Sequence, residues 1–155
     1  MSLDKFKIEK RANEFLGHFD PNVKVEITIV DDACNVSAET ELSGLLIGRR
    51  GETLEALQHI LRLILSKELG DFAPLRPLTL DIAGYRAAKK EEIQNLARAI
   101  AEKVISFGGT ESLPPMNAYE RRLAHLVLQE FDKIEAESEG VEPDRKIVIR
   151  PRTEK

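Results

Sequence analysis

The sequence predicts an α+β protein built from two small modules joined by a long helix. Three observations lead there. A chain of 155 residues has room for one ordinary domain or two small ones. Alternation of apolar and polar residues, the period of a half-buried strand, recurs between helical stripes in the first 83 residues. A long helical pattern over about 85–106 then separates these from a second set of one helix and two short strands. Apolar residues make up 42% and charged residues 32% of the chain, a globular balance rather than a disordered or fibrous one.

The elements follow in order. Over 4–18, Phe6, Ile8, Ala12, Phe15 and Leu16 recur at helical spacing until Asp20-Pro21-Asn22 breaks the pattern. Val23, Val25, Ile27 and Ile29 alternate with Lys24, Glu26 and Thr28. Asp31-Asp32 reads as a turn and 35–40 as the second strand of a hairpin. A short helix over 41–47 leads into Gly48-Arg49-Arg50-Gly51. Leu54, Leu57, Leu61 and Ile64 then mark a helix that ends near Gly70. After a Pro-containing loop, Leu78, Leu80 and Ile82 alternate as a third strand. The order over 1–83 is thus α-β-β-α-α-β. In the second part, Ile93, Leu96, Ile100 and Val104 form the buried stripe of the long helix, which Gly108-Gly109 stops. Asn117 caps a further helix reaching about Phe131, and strands over 134–138 and 146–149 close the chain.

The net charge is −4, which speaks against affinity for nucleic acid carried by bulk positive charge. The charge is nevertheless segregated: residues 1–44 and 91–144 are acidic, whereas 45–90 and 145–155 carry net charges of +3 and +4. Two basic stretches in an acidic chain point to localised anion binding, although solvated faces look the same.

The first basic stretch contains Ile47-Gly48-Arg49-Arg50-Gly51. Two glycines three apart allow a tight turn and a close approach of backbone to a ligand, and the following helix aims its free N–H groups at the same place. A nucleotide P-loop or a dinucleotide fingerprint needs other spacings, which are absent. Alone, the tetrapeptide reads as an ordinary helix–helix turn. Set in the α-β-β-α-α-β order, it resembles the KH domain of bacterial type II topology. That resemblance implies a loop clamping the backbone of single-stranded RNA through Ile47, Gly48, Arg49, Arg50 and Gly51.

Arg121 and His125 are four apart on the second module's helix and so share a face. With Leu123, Leu126 and Val127 turned to the core, both are expected to face outward. Taken alone, such a pair is an ordinary exposed helix face. Asn117-Ala118-Tyr119-Glu120-Arg121-Arg122, then Glu137-Ser138-Glu139-Gly140 and Pro143 to Ile149, is similar to the R-three-H domain, whose start Gly84-Tyr85-Arg86 also fits. That resemblance implies single-stranded nucleic-acid binding by Arg121 and His125. Arg122, Arg145, Lys146 and Arg150 are candidates for an extended phosphate track, or for charges that keep a terminal strand from aggregating.

A KH domain over 1–83 followed by an R-three-H domain over 84–152 resembles the bacterial Jag family, the SpoIIIJ-associated proteins also called KhpB. The resemblance implies post-transcriptional regulation or RNA chaperoning linked to cell elongation and division, and pairing with a small protein made of a KH domain alone. Many members carry a further N-terminal domain for which this sequence has no counterpart, so that domain's roles are not carried over.

No cofactor, metal or catalytic residue is expected. His18 and His59 have no metal-ligand spacing, and Glu120, next to Arg121, lies about 100° round the helix from it. With one cysteine, Cys34, no internal disulfide or multi-thiolate metal site is available. No apolar run nears the roughly 20 residues that span a bilayer, so a cytoplasmic location without membrane insertion is expected. The expected partner is single-stranded RNA, and the sequence leaves open whether single-stranded DNA also binds. The rival reading is a protein-interaction module whose acidic helix, around 91–104, docks other proteins.

Overall fold

A computed structural model describes residues 4–70 and 77–153. Most of the expected Pro-containing loop, and Lys155 of the C-terminal basic stretch, lie outside the described residues. Internal contacts divide the chain into two compact units, Met1–Arg86 and Ala87–Lys155.

The first unit runs α1 (Lys5–Gly17), β1 (Lys24–Val30), β2 (Ala33–Glu39), α2 (Ser43–Ile47), α3 (Glu52–Leu69) and β3 (Leu78–Ile82), the order the sequence predicts. Asp4 caps α1 by accepting from the Lys7 N–H at 3.2 Å. The helix buries Ile8, Ala12 and Leu16. Phe6 stands two residues before Ile8, about 200° round the helix, and is exposed. β1 and β2 form an antiparallel hairpin with Val30 opposite Ala33. The two-residue turn between them holds Asp31 and Asp32 at φ +49° and +62°, the twist that a right-handed strand pair demands. β3 lies parallel to β2, with Leu80 opposite Val36, and a parallel pair needs a crossover. α2 and α3 supply it. One face of the sheet buries Ile27, Val36, Ala38, Leu78, Leu80 and Ile82 against Leu16 of α1 and Leu54, Leu57, Leu61 and Leu65 of α3. Ile64, expected on that stripe, is only half-buried, and Leu65 takes its place.

In the second unit α4 (Tyr85–Phe107) precedes β4 (Glu111–Ser112), α5 (Ala118–Leu128), β5 (Ile134–Glu139) and β6 (Lys146–Pro151). The sheet order is β4-β6-β5, antiparallel throughout. Gly108 and Gly109, at φ +70° and +81°, end α4 as expected. Ile93, Ala97, Ala101 and Val104 are its buried residues, with Leu96 and Ile100 on the flanks. The core adds Leu113, Met116, Ala124, Leu128, Ile134, Ile147 and Ile149. Asn117 caps α5 through a reciprocal pair of bonds: its Oδ1 accepts from the Glu120 N–H at 2.9 Å, and Glu120 Oε2 accepts from the Asn117 N–H at 3.0 Å. The helix ends at Leu128, three residues before the expected point.

Candidate nucleic-acid interface

Between α2 and α3, Gly48, Arg50 and Gly51 all take positive φ, at +70°, +54° and +76°. Gly48 is required twice over, since any Cβ there would overlap the Thr53 side chain. A Cβ on Gly51 would lie 3.0 Å from the Tyr85 ring. Arg50 has no such exemption; a non-glycine residue in this region costs about 1–2 kcal/mol. The loop stores that strain to raise two guanidinium groups at its tip. Arg49 and Arg50 are exposed, and among the described residues no hydrogen bond or ion pair engages either side chain. Ile47 is half-buried and packs on the core from the loop's edge.

The first turn of α3 leaves its N–H groups directed back toward this loop. Its own carboxylates, Glu52 and Glu55, compete for that end of the helix. Glu55 is drawn off by Arg86, whose Nη1 sits 3.1 Å from Glu55 Oε1. Arg86 also donates from Nε to the Leu80 carbonyl at 3.0 Å and from Nη2 to Gln58 Oε1 at 2.9 Å. Together these bonds anchor the start of α4 and hold Tyr85 against Gly51. The resemblance attaches Tyr85 and Arg86 to the second module, but their contacts belong to the first unit. Only the spacing of Tyr85 from β3 was visible in the sequence, and that spacing carries no information about the glycine loop.

On α5 the structure corrects the expected geometry. Arg121 does not face outward: it is 9% exposed. Its Nη1 donates to the Met116 carbonyl at 2.5 Å, and its Nη2 pairs with Glu142 Oε1 at 2.8 Å. The reason is the short segment before the helix, whose Met116 carbonyl needs a donor, and the loop after β5, which brings Glu142 over the guanidinium. Leu126, expected in the core, is instead 56% exposed. His125 is half-buried, and burial, followed by the charge of Arg121, pushes its pKa below the ordinary histidine value. Both effects favour the uncharged imidazole. It lines a cavity of about 260 Å³ together with Gln129, Phe131, Asp132, Glu135 and Arg152.

The candidates for a phosphate track differ in their surroundings. Arg150 is held by Glu139 at 2.6 Å and Glu137 at 3.8 Å, because it lies opposite Glu135 on a strand pair whose outer face is acidic. Arg145 donates from Nε to Ser138 Oγ at 2.9 Å, and Lys146 faces Glu139 across the strands. Arg122 differs from the two paired arginines. It is exposed, and among the described residues it has no ion pair or hydrogen-bond partner. Cys34, on β2, is buried in the first unit's core, where desolvation raises its thiol pKa. Among the described residues no cluster of three or more His, Cys, Asp or Glu side chains is arranged to hold a metal. No described helix is long and apolar enough to cross a membrane.

Residues 5–72 match the family model of the KH domain of KhpA and KhpB proteins, and residues 91–151 match that of the R-three-H domain. A protein of Clostridium symbiosum named RNA-binding protein KhpB is 36% identical over 151 residues, covering 94% of this chain and 67% of its own. The chain belongs to the KhpB family. Proteins of the same name are 27% identical in Streptococcus pneumoniae strain D39 and 33% identical in Bacillus subtilis strain 168, over 93% and 70% of this chain. The chain spans only 45% and 52% of those two relatives. The family's KH and R-three-H domains are binding modules, and no catalytic activity is attached to them here.

Proposed function

We propose that the chain binds single-stranded RNA without catalysing its cleavage, and does so in the cytosol as part of post-transcriptional control. The single observation that carries this is the Gly48–Gly51 loop: backbone opened by three positive φ values, with two arginines at the tip that have no partner among the described residues. Arg49 and Arg50 supply charge to phosphates, while the loop backbone and the α3 N-terminus approach the strand closely. Ile47 offers an apolar edge for a base. The names of the relatives, all RNA-binding protein KhpB, support the same reading.

In the second unit, Arg121 is a positioning residue that fixes the turn before α5, and His125 with Arg152 borders a cavity able to take part of a nucleotide. Arg145 and Arg150 are engaged with their own sheet and add little to a phosphate track. Exposed Ile60 and Leu63 on α3 suit docking of the small KH-only partner that the family resemblance implies.

The deciding experiment is fluorescence anisotropy of a labelled single-stranded RNA of random sequence at two salt concentrations. Wild type is compared with Arg49→Asp/Arg50→Asp, after circular dichroism shows both folded. Salt-sensitive binding by the wild type that disappears in the variant is the expected result. Equal binding by the two proteins would remove the loop from the function.

A further inference from the structure

α5 turns to solvent a face distinct from the one its Arg and His motif marks. Tyr119 is 65% exposed, and Leu126 is exposed to a similar degree. Arg122, between them, is exposed and without a partner among the described residues. Spacings of three and four residues put the three in one stripe, about 10 Å long, and Gln129 continues it. In a module as rich in carboxylates as this one, the exposed stripe from Asn117 to Gln129 carries none: Glu120 is folded back onto the Asn117 N–H and buried. That bond also fixes the first turn, so the Tyr119 ring projects from a rigid backbone.

An exposed aromatic ring, a free guanidinium three residues on and an apolar side chain beyond it are the parts that a single strand needs. Every base has a face that stacks on an aromatic ring, and the phosphate beside it meets the arginine. Among its own residues the stripe sets a cation beside an aromatic ring with no carboxylate, the nearest exposed one being Glu130 just past its end, which favours an anionic strand. We propose that single-stranded RNA runs along the outward stripe of α5, with a base stacked on Tyr119, the adjoining phosphate on Arg122 and the next base against Leu126. This rests on the RNA-binding reading above and assigns the strand a path in the second unit that avoids the buried Arg121.

The chain has two tyrosines and no tryptophan, so a Tyr85→Phe protein reports on Tyr119 alone. Its fluorescence is followed as a 12-nucleotide oligouridine is added, with free N-acetyltyrosinamide at the same RNA concentrations as the baseline for absorption. Affinities are measured in parallel for Tyr119→Ala, Tyr119→Phe and Arg122→Ala. The expected results are quenching beyond the baseline, a loss of about tenfold in affinity for Tyr119→Ala, and near-wild-type binding for Tyr119→Phe. Arg122→Ala should flatten the salt slope by about 0.7, one phosphate's share. RNA binding that depends on Arg49 and Arg50 while Tyr119 stays unquenched and Tyr119→Ala is neutral overturns this path and leaves the loop reading standing. No binding by the folded wild type overturns both.

Discussion

The Arg121 guanidinium is held at two ends of unequal weight. Its bond to the Met116 carbonyl is buried, whereas its partner Glu142 is exposed and regains water when released. Losing the carbonyl bond therefore dominates, because a buried acceptor left without its donor costs about 1–3 kcal/mol, more than the about 0–1 kcal/mol of an exposed ion pair. Arg121→Ala is expected to lower the stability of the second unit by that larger amount, and Glu142→Gln to change it little. Urea denaturation followed by a probe in that unit separates the two, and equal losses would mean that the ion pair matters as much as the carbonyl bond. A lysine at 121 lacks the forked donor set that serves both partners at once, so it should restore only part of the stability.

Two helices carry the architecture of the first unit, and α3 carries more of it than α1. Leu61 is fully buried at the centre of α3, facing the sheet. Its truncation to alanine leaves a cavity as well as lost apolar contact, so Leu61→Ala should cost about 2–5 kcal/mol. A lowered denaturation midpoint with unchanged slope is the expected signature. This stripe was readable in advance because leucines at helical spacing report burial directly. The hairpin was readable for the same reason, its alternation being strict and its turn acidic. β4 was not, since Glu111-Ser112 is too short to show a period and exists through its pairing with Val148 and Ile149 of β6. The orientation of α5 was misjudged because arginine is seldom buried. Placing Arg121 inside needed the Met116 carbonyl and Glu142, partners that sequence spacing does not reveal. The loop glycines were legible as a turn; the ring of Tyr85 beneath Gly51 was not, because a contact between residues 34 apart leaves no local trace.

On the proposals above, each unit offers RNA one surface of modest charge. The net charge is negative, so long-range attraction is weak, and the proposed sites gain most by acting on the same strand. Linking two weak sites can raise affinity by about 10²–10⁴ over either alone, provided that the ligand reaches both. On that reading a short RNA occupies one site, and one long enough to reach both is held more tightly. Affinity measured against RNA length should therefore rise in a step rather than smoothly. The step should vanish when Arg49→Asp/Arg50→Asp disables the loop, while the weak binding of short strands to the second unit persists. A smooth length dependence in the wild type, or a step that survives the loop variant, would show that the units bind RNA independently or that only one of them binds it.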